Sequence, residues 1–494
     1  MDVPARSRID TARLEAFSDG VLAIVITLMA FQLVPPKGGS LADLHEVGPA
    51  FAAFALSFVS VGIYWNNHHH LLKATERIDA WVMWANLALL FCLTLVPPAT
   101  VWLGDRFGET GPTVTYGLVS LAAALAYTAL FRAILHANPD SRMIEAIGRE
   151  AALWGPRFVG RGAETVFLGG GTPSLLSGDQ IATIIGALHD AFSIAHDAEI
   201  TIESNPNDLD EPYCVALLQA GVNRISIGAQ SVDRRGLRVL GRRHEATQTA
   251  SAVTAARSAG FANISLDFIY AWPGQTVEGW RRELASVLSG AVGDTPDHLS
   301  LYSLIVEPGT PMADGVSRGI IVPVDDEGAA DYYEAARDLL GGAGWHHYEI
   351  SNWTVSPELI SRHNALYWRN GEYAGLGAGA HGYVNGERTM NQPSPSRYIT
   401  GISSGQTAIT NIDRIDGSLA MGETMMLGLR LVADGVSDAS FQQRHGESLF
   451  QRFGPQIDRL CDIGMLDVIG DSVRLTERGT LLANSVCAEF LSID

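Results

Sequence analysis

The sequence predicts a multi-domain chain, with an N-terminal α-helical membrane segment followed by an α/β region built on a parallel sheet or β/α barrel. Three observations predict it. Four apolar stretches crowd the first 135 of 494 residues. Beyond about residue 164, short apolar runs alternate with amphipathic helical stretches. Only 18% of residues are charged against a usual ~25%, and the mean hydropathy is +0.12, yet the net charge is −20. That charge sits at the back: residues 1–157 hold 11 Lys+Arg against 13 Asp+Glu, which leaves −18 for residues 158–494. So acidic a region repels phosphate backbones, and nucleic acid is excluded as a partner. Cys92, Cys214, Cys461 and Cys487 are too scattered for metal-ligand spacing or a disulfide framework, which suits a reducing compartment. No signal-peptide pattern opens the sequence.

The apolar stretches lie at about 14–34, 49–65, 80–98 and 113–135, each near the ~17–25 residues that cross a bilayer as helix. Buried helices of a soluble bundle are the alternative, which the uncharged second stretch opposes. Arg6, Arg8 and Arg13 precede the first stretch, Lys73 and Arg77 separate the second and third, and Arg132, Arg142, Arg149 and Arg157 follow the fourth. The other two loops carry only Lys37 and Arg106. The positive-inside rule therefore puts both termini and the soluble region in the cytoplasm, at the cell membrane and in contact with its lipid. His68, His69 and His70 invite a metal, but three consecutive helical residues point in different directions and cannot all reach one ion.

The start of the first stretch, R-L-E-A-F-S-D-G running into V-L-A-I-V-I-T-L-M, resembles the pore helix of the transmembrane protein 175 family of potassium channels. The likeness continues through L-S-F-V-S-V-G-I-Y-W-N-N-H-H-H and covers about residues 8–157. It implies a homo-oligomer around a potassium pathway, with Ile24 and Leu28 at the constriction, Thr27 nearby, and Arg13, Ser18 and Asp19 in a polar network bracing the helix. Arg13 and Asp19 could instead form an interfacial pair at the helix end. Bacterial members of that family have six crossings and this segment has four, so the implied pore is incomplete. Residues 136–157 read as the approach to a fifth helix, cut short by G-R-G-A-E-T.

In the second region the apolar runs are T-V-F-L, E-I-T-I-E, R-I-S-I, N-I-S-L-D-F-I and H-L-S-L-Y, each followed by a helical stretch. Ligands in such folds bind at the carboxyl ends of strands. Polar or glycine residues stand there: Gly169, Gly170, Gly171 and Thr172 after the first run, Glu203 after the second, Gln230 after the third, Arg242 beyond it and Asp267 on the fourth. Consecutive glycines let backbone N–H groups approach an anionic or zwitterionic ligand, and carboxylates accept from an amine or ribose hydroxyls. A tight turn and a surface charge are the plainer readings of the glycines and of Arg242. Gly377, Gly379 and Gly382 match G-x-G-x-x-G without the strand, helix and later acid of a dinucleotide site.

Seven ordered motifs, F-L-G-G-G-T-P-S-L-L, I-T-I-E-S-N-P, G-V-N-R-I-S-I-G-A-Q-S, V-L-G-R-R-H, D-F-I-Y-A-W-P-G-Q-T, L-Y-S-L-I-V-E-P-G-T-P and R-H-N-A-L-Y-W, resemble the HemW-type heme chaperones. These are radical S-adenosylmethionine proteins similar to the oxygen-independent coproporphyrinogen III oxidases, active in heme trafficking and porphyrin metabolism. The resemblance implies a partial radical-SAM (β/α) barrel over 158–310, a heme-handling region over 311–415 and a C-terminal helical, winged-helix-like domain over 416–494, behind a four-helix channel-like domain over 1–157. It implies S-adenosylmethionine contacts from Gly170, Gly171, Thr172, Glu203, Gln230, Arg242 and Asp267. His363, Asn364, Tyr367 and Trp368 match the H-N-x-x-Y-W signature of the heme region, where His363 either ligates heme iron as neutral imidazole or plays a structural part.

The [4Fe–4S] cluster of these proteins is held by thiolates spaced C-x-x-x-C-x-x-C after the first barrel strand. This sequence has no such triplet, and channel-like helices stand where that strand and loop belong. The expectation is a membrane-tethered relative without radical catalysis. A potassium channel-like protein with a cytoplasmic appendage, or a non-functional gene fusion, is the alternative.

Overall fold

The computed structural model describes residues 11–39, 44–73, 78, 80–137, 141–291 and 293–491. Arg6, Arg8, Arg77 and the side chains of Lys73 and His70 lie outside the described residues. Two compact units divide the chain between Ser141 and Arg142.

The first unit contains α1 (Thr11–Phe31), α2 (Leu44–Lys73), α3 (Ala80–Thr94), α4 (Val96–Asp105) and α5 (Thr110–Ala137). Four segments are long and apolar enough to cross a membrane: Arg13–Phe31, Val47–His69, Ala80–Asp105 and Thr110–Ile134. The third contains two helices: Leu95 keeps right-handed helical backbone, but the prolines after Val96 withhold amide donors at the start of α4. Along α1 one stripe, Leu14, Ser18, Leu22, Val25 and Met29, is buried. The opposite stripe of Phe17, Ile24, Leu28 and Phe31 is 48–87% exposed. A helix apolar on both sides suits a lipid environment or a further helix partner.

The second unit opens with α6 (Ser141–Trp154) and β1 (Gly162–Leu168). Strand–helix repeats follow: α7 (Gly178–Ala191), β2 (Ser193–Ser204), α8 (Glu211–Gln219), β3 (Arg224–Gln230), α9 (Arg234–Val239), α10 (Ala246–Ala259), β4 (Ile264–Tyr270), α11 (Val277–Leu288) and β5 (His298–Ser303). The five runs read as strands in the sequence are these five, paired in parallel in chain order. After α12 (Pro311–Ser317) and α13 (Asp326–Gly342), β6 (His346–Glu349) and β7 (Asn352–Thr354) return to the same sheet, with β7 antiparallel to β5, giving the order β1-β2-β3-β4-β5-β7-β6. Residues on both sides of position 310 thus share one sheet. Among the described residues no strand lies beyond β1, so the sheet is a half-barrel.

Next come α14 (Arg362–Trp368), the hairpin β8 (His381–Val384) and β9 (Glu387–Asn391), α15 (Pro395–Ser403) and β10 (Ile409–Arg414). The chain closes with α16 (Gly417–Gly428), β11 (Val436–Ser437), α17 (Asp438–His445), α18 (Leu449–Asp462), β12 (Leu466–Ile469), β13 (Ser472–Leu475), α19 (Glu477–Leu481) and α20 (Ala483–Ala488). These last elements have their own core around Phe441, Phe453 and Phe490, and a small sheet β11-β13-β12 as in a winged helix.

Helix α6 departs from the sequence reading. Residues 136–157 read as the approach to a membrane helix, yet α6 belongs to the second unit, and the structural division falls ahead of residue 157. The physical reason is its amphipathic pattern. Ile144 and Ala151 pack with Ile184 and Leu188 of α7, while Glu145 and Arg149 pair on the exposed side at 2.6 Å. Its one buried charge, Glu150, accepts from Gly377 N (2.8 Å), Asn391 Nδ2 (2.7 Å) and the Tyr398 hydroxyl (2.7 Å). A lipid-facing helix would offer no such donors.

Candidate functional site

Side chains alternate across a strand, and here the alternation separates two surfaces. Ile200, Ile202, Ile225, Ile227, Ile264, Leu266, Phe268, Leu299 and Leu301 pack in the main core. Their neighbours Glu199, Thr201, Glu203, Arg224, Ser226, Ser265, Asp267, His298 and Ser300 therefore share the other face, which is polar at each of these positions. Asp267 accepts from Ser226 Oγ (2.9 Å to Oδ2) and Ser265 Oγ (3.2 Å to Oδ1). His298 joins Ser265 Oγ through Nδ1 (2.9 Å) and the Tyr348 hydroxyl through Nε2 (2.9 Å). Burial holds His298 well below the usual histidine range, with the Arg224 charge adding to the effect. Burial also raises the Asp267 carboxyl, opposed by its serine donors and by Arg224.

At the carboxyl ends of the strands, Gly170 (φ +71°) and Gly171 (φ +59°) adopt left-handed backbone, with open space where a Cβ would stand. Gly170 N donates to Glu203 Oε2 at 3.0 Å. Burial raises the Glu203 carboxyl; that hydrogen bond opposes the rise, and the Asp267 charge adds to it. Gln230 is itself left-handed (φ +63°), and its Nε2 lies 2.9 Å from where a Cβ on Gly228 would be. Thr172 leads into the short 3-10 turn Pro173–Leu175. Thus Gly170, Glu203 and Asp267 are brought together. Arg242 lines a cavity of about 310 Å³ with Arg234, Arg238, Arg243 and His244.

The H-N-x-x-Y-W segment is α14. Glu199 accepts the first amides of that helix, from Arg362 N (2.9 Å) and His363 N (3.0 Å), complementing the helix N-terminus. Ser361 Oγ accepts from Asn364 N (3.3 Å). The His363 ring is stacked on Phe167 at 4.8 Å and bonded at both nitrogens: Nδ1 to Thr165 Oγ1 (2.9 Å), Nε2 to the Tyr367 hydroxyl (2.9 Å). At 8% exposure its pKa is pushed down to about 4 by burial, helped by the Arg224 charge. The Trp368 ring lies under Arg430 at 5.4 Å, and its buried indole N–H has no hydrogen-bond partner among the described residues.

Sequence reasoning missed Arg224, His298 and the serines. The signal was available in the alternation itself, since R-I-S-I and H-L-S-L put a polar residue at every second position. Arg224 is 2% exposed and its Nε has no hydrogen-bond partner among the described residues, while its charge acts on the Asp267 carboxyl of the same face.

These residues fit two of the three groups the sequence pointed to. The open glycine turn beside Glu203 suits a zwitterionic nucleoside. A neutral His363 suits iron ligation once Tyr367 releases Nε2, and the orphaned Trp368 N–H leaves a donor for a ligand. An iron–sulfur cluster does not fit. The four cysteines lie on α3, α8, α18 and α20, none on the polar face, and burial raises the Cys214 and Cys487 thiols to about 12 and about 11, away from the thiolate.

In the first unit, Ser18 Oγ accepts from Asn86 Nδ2 (3.0 Å), Asn86 Oδ1 meets His68 Nε2 (2.7 Å), and Asp19 Oδ1 accepts from the Trp65 indole (3.0 Å). Arg13 is exposed and stands outside this network. Thr27 bonds back to Ala23 O at 3.0 Å on the uncovered side of α1, with Ile24 and Leu28.

Comparison with known proteins follows the same division. Residues 13–97 match the family model of the endosomal/lysosomal potassium channel TMEM175. Residues 138–285 match the radical SAM superfamily, and residues 419–482 match the HemN C-terminal domain. Over 358 residues, 72% of this chain and 87% of the relative, the chain is 34% identical to the heme chaperone HemW of Mycobacterium tuberculosis. Over 329 residues, 66% of this chain and 85% of the relative, it is 35% identical to the heme chaperone HemW of Bacillus subtilis. Coproporphyrinogen III oxidase HemN of Escherichia coli, a radical SAM enzyme, superposes with a TM-score of 0.60 over 71% of this chain and 83% of that chain; at 21% identity the likeness is one of fold.

Proposed function

Because the chain belongs to the HemW family of heme chaperones, we propose that it is a membrane-attached heme binder of that family that carries out no radical chemistry. The observation that carries this reading is the pairing of a neutral, preorganised His363 on the polar face with the lack of any cysteine near that face. Bound heme would supply an iron that an imidazole can ligate. His363 would offer Nε2 on release from the Tyr367 hydroxyl, while Thr165 Oγ1 holds the ring at Nδ1. Asn364 and Trp368 flank it on α14.

Gly170, Gly171, Thr172, Glu203, Gln230, Arg242 and Asp267 hold S-adenosylmethionine in this reading, without cleaving it, since reductive cleavage draws its electron from a cluster this chain has no cysteines to hold. The four apolar segments attach the protein to the cell membrane, with the second unit on the cytoplasmic side.

The test is a heme titration of the full chain in detergent, beside anaerobic reconstitution with iron and sulfide. A saturable heme spectrum that disappears in His363→Ala, with no cluster absorbance, is expected. Cluster absorbance, or heme binding indifferent to His363, refutes the reading.

One observation favours a second reading, a potassium channel-like protein with an appendage. Ile24 and Leu28 are 59% and 48% exposed on α1, as they would be on a face awaiting symmetric partners. Potassium flux in liposomes, raised or made less selective by Ile24→Asn at an apolar constriction, would support it; a monomer in detergent would count against it.

A further inference from the structure

The three consecutive histidines of α2 cannot share an ion, but the fold brings other ligands to one of them. Glu15 and Asp19 lie one turn apart on α1 and face His69 of α2. The His69 Nδ1 is 2.8 Å from Glu15 Oε1, and one ligand atom from each of the three residues falls within 4.8 Å of the others.

We propose that Glu15, Asp19 and His69 form a site for a divalent transition-metal ion of the zinc class, joining α1 to α2. Charge argues for it. Two carboxylates stand in an apolar helix bundle, and among the described residues no Lys or Arg lies within 4.0 Å of either. Half-buried carboxylates at the end of an apolar span are stabilised by a compensating cation, and one imidazole offsets at most one of the two charges. Geometry argues for it too. A tetrahedral site with bonds of ~2.0–2.1 Å sets neighbouring ligand atoms about 3.3 Å apart, a spacing bracketed by the 2.8 Å pair and the 4.8 Å limit. An ion takes the place of the proton between Nδ1 and Oε1.

The donor set decides the metal class. Two carboxylate oxygens and an imidazole nitrogen suit zinc and its first-row neighbours better than magnesium or calcium, which take oxygen alone. A support already surrounds the trio: the Trp65 indole donates to Asp19 Oδ1 at 3.0 Å, and its ring stacks on His69 at 6.2 Å. Outer partners of this kind orient metal ligands. Side-chain exposures of 30% for His69 and 24% for Glu15 give an ion access, and the trio lies at the ends of the spans Arg13–Phe31 and Val47–His69.

The full chain in detergent, freed of metal with a chelator, is titrated with Co2+ and then with Zn2+ as competitor. One Co2+ per chain, with visible d–d absorption displaced by Zn2+, is expected. Glu15→Gln and His69→Ala each weaken binding by at least about tenfold, since a direct ligand is worth no less than the ~10–100-fold of an outer partner. Asp19→Asn keeps an acceptor for Trp65, so a matching loss there reports the charge and not disturbed packing. His381→Ala, at an exposed histidine of the second unit, leaves the titration unchanged. A wild-type chain without the cobalt spectrum, or undiminished binding by the Glu15→Gln/His69→Ala double variant, overturns the proposal.

Discussion

Replacing Glu150 by alanine tests whether α6 is a structural part of the second unit. The carboxylate is 2% exposed and receives three donors. Asn391 Nδ2 retains an alternative in Gly377 O at 2.9 Å, so two donors are orphaned, the Gly377 amide and the Tyr398 hydroxyl. Leaving a buried donor unsatisfied costs about 1–3 kcal/mol, which places the loss at about 4 kcal/mol for the pair. It falls on the segment that α6 holds, α15 and the β8–β9 hairpin. Backbone amide exchange of the full chain, read by mass spectrometry on peptides covering Gly377–Ser403, measures it. At about 1.4 kcal/mol per tenfold, protection should fall by roughly a thousandfold there, and by less in α1–α5. Glu150→Gln, which keeps one acceptor oxygen, should lose about half as much in kcal/mol. Unchanged protection in Glu150→Ala would mean that the carboxylate does not hold these elements, and the assignment of α6 would fail with it.

Three further predictions follow from the same kind of reasoning. Glu349 is 1% exposed at the β6–β7 turn, and burial pushes its pKa from 4.5 up to about 7, against the opposing donors Ser351 N and Asn352. A carboxyl raised in the folded state loses stability as pH climbs from below 4.5 through about 7, so Glu349→Gln should be more stable than wild type by about 3 kcal/mol at pH 8. The two should coincide at pH 4, as guanidinium unfolding curves at both pH values would show, and an unaltered gap across that range would contradict the buried carboxyl. Tyr367→Phe frees His363 Nε2 from its 2.9 Å partner. If His363 ligates iron, heme affinity should rise about fivefold, reflecting roughly 1 kcal/mol for the lost competing bond, and a fall would speak for a structural histidine. Gly171→Ala should cost about 1–2 kcal/mol through left-handed backbone alone, because the space around it is open; a thermal melt with a larger loss would point to a clash instead.

Much of the fold is legible in the residues. The five parallel strands, the four apolar spans and the glycine turn beside Glu203 all follow from local pattern, because period, length and glycine act over a few residues. The limits of that reading appear at α6. Its apolar side and its place after a membrane segment suggest lipid, and only the donors from Gly377, Asn391 and Tyr398, more than 220 residues away in sequence, mark it as part of the barrel unit. The alternation in R-I-S-I and H-L-S-L marks Arg224 and His298 as polar alternates, but only the assembled sheet brings them onto one face with Asp267.

What the sequence determined by itself is what short-range chemistry encodes: an apolar front, an acidic back, strands with polar alternates, and four cysteines too scattered for the C-x-x-x-C-x-x-C spacing. The tertiary structure decided which distant groups meet. It held His363 between Thr165 and Tyr367, turned Glu199 onto the start of α14, and set Glu15 and Asp19 against His69 while leaving Arg13 outside. Hydrogen bonds and charges act over a few ångströms in space, whatever the separation along the chain, and this is why such partners emerge only on folding.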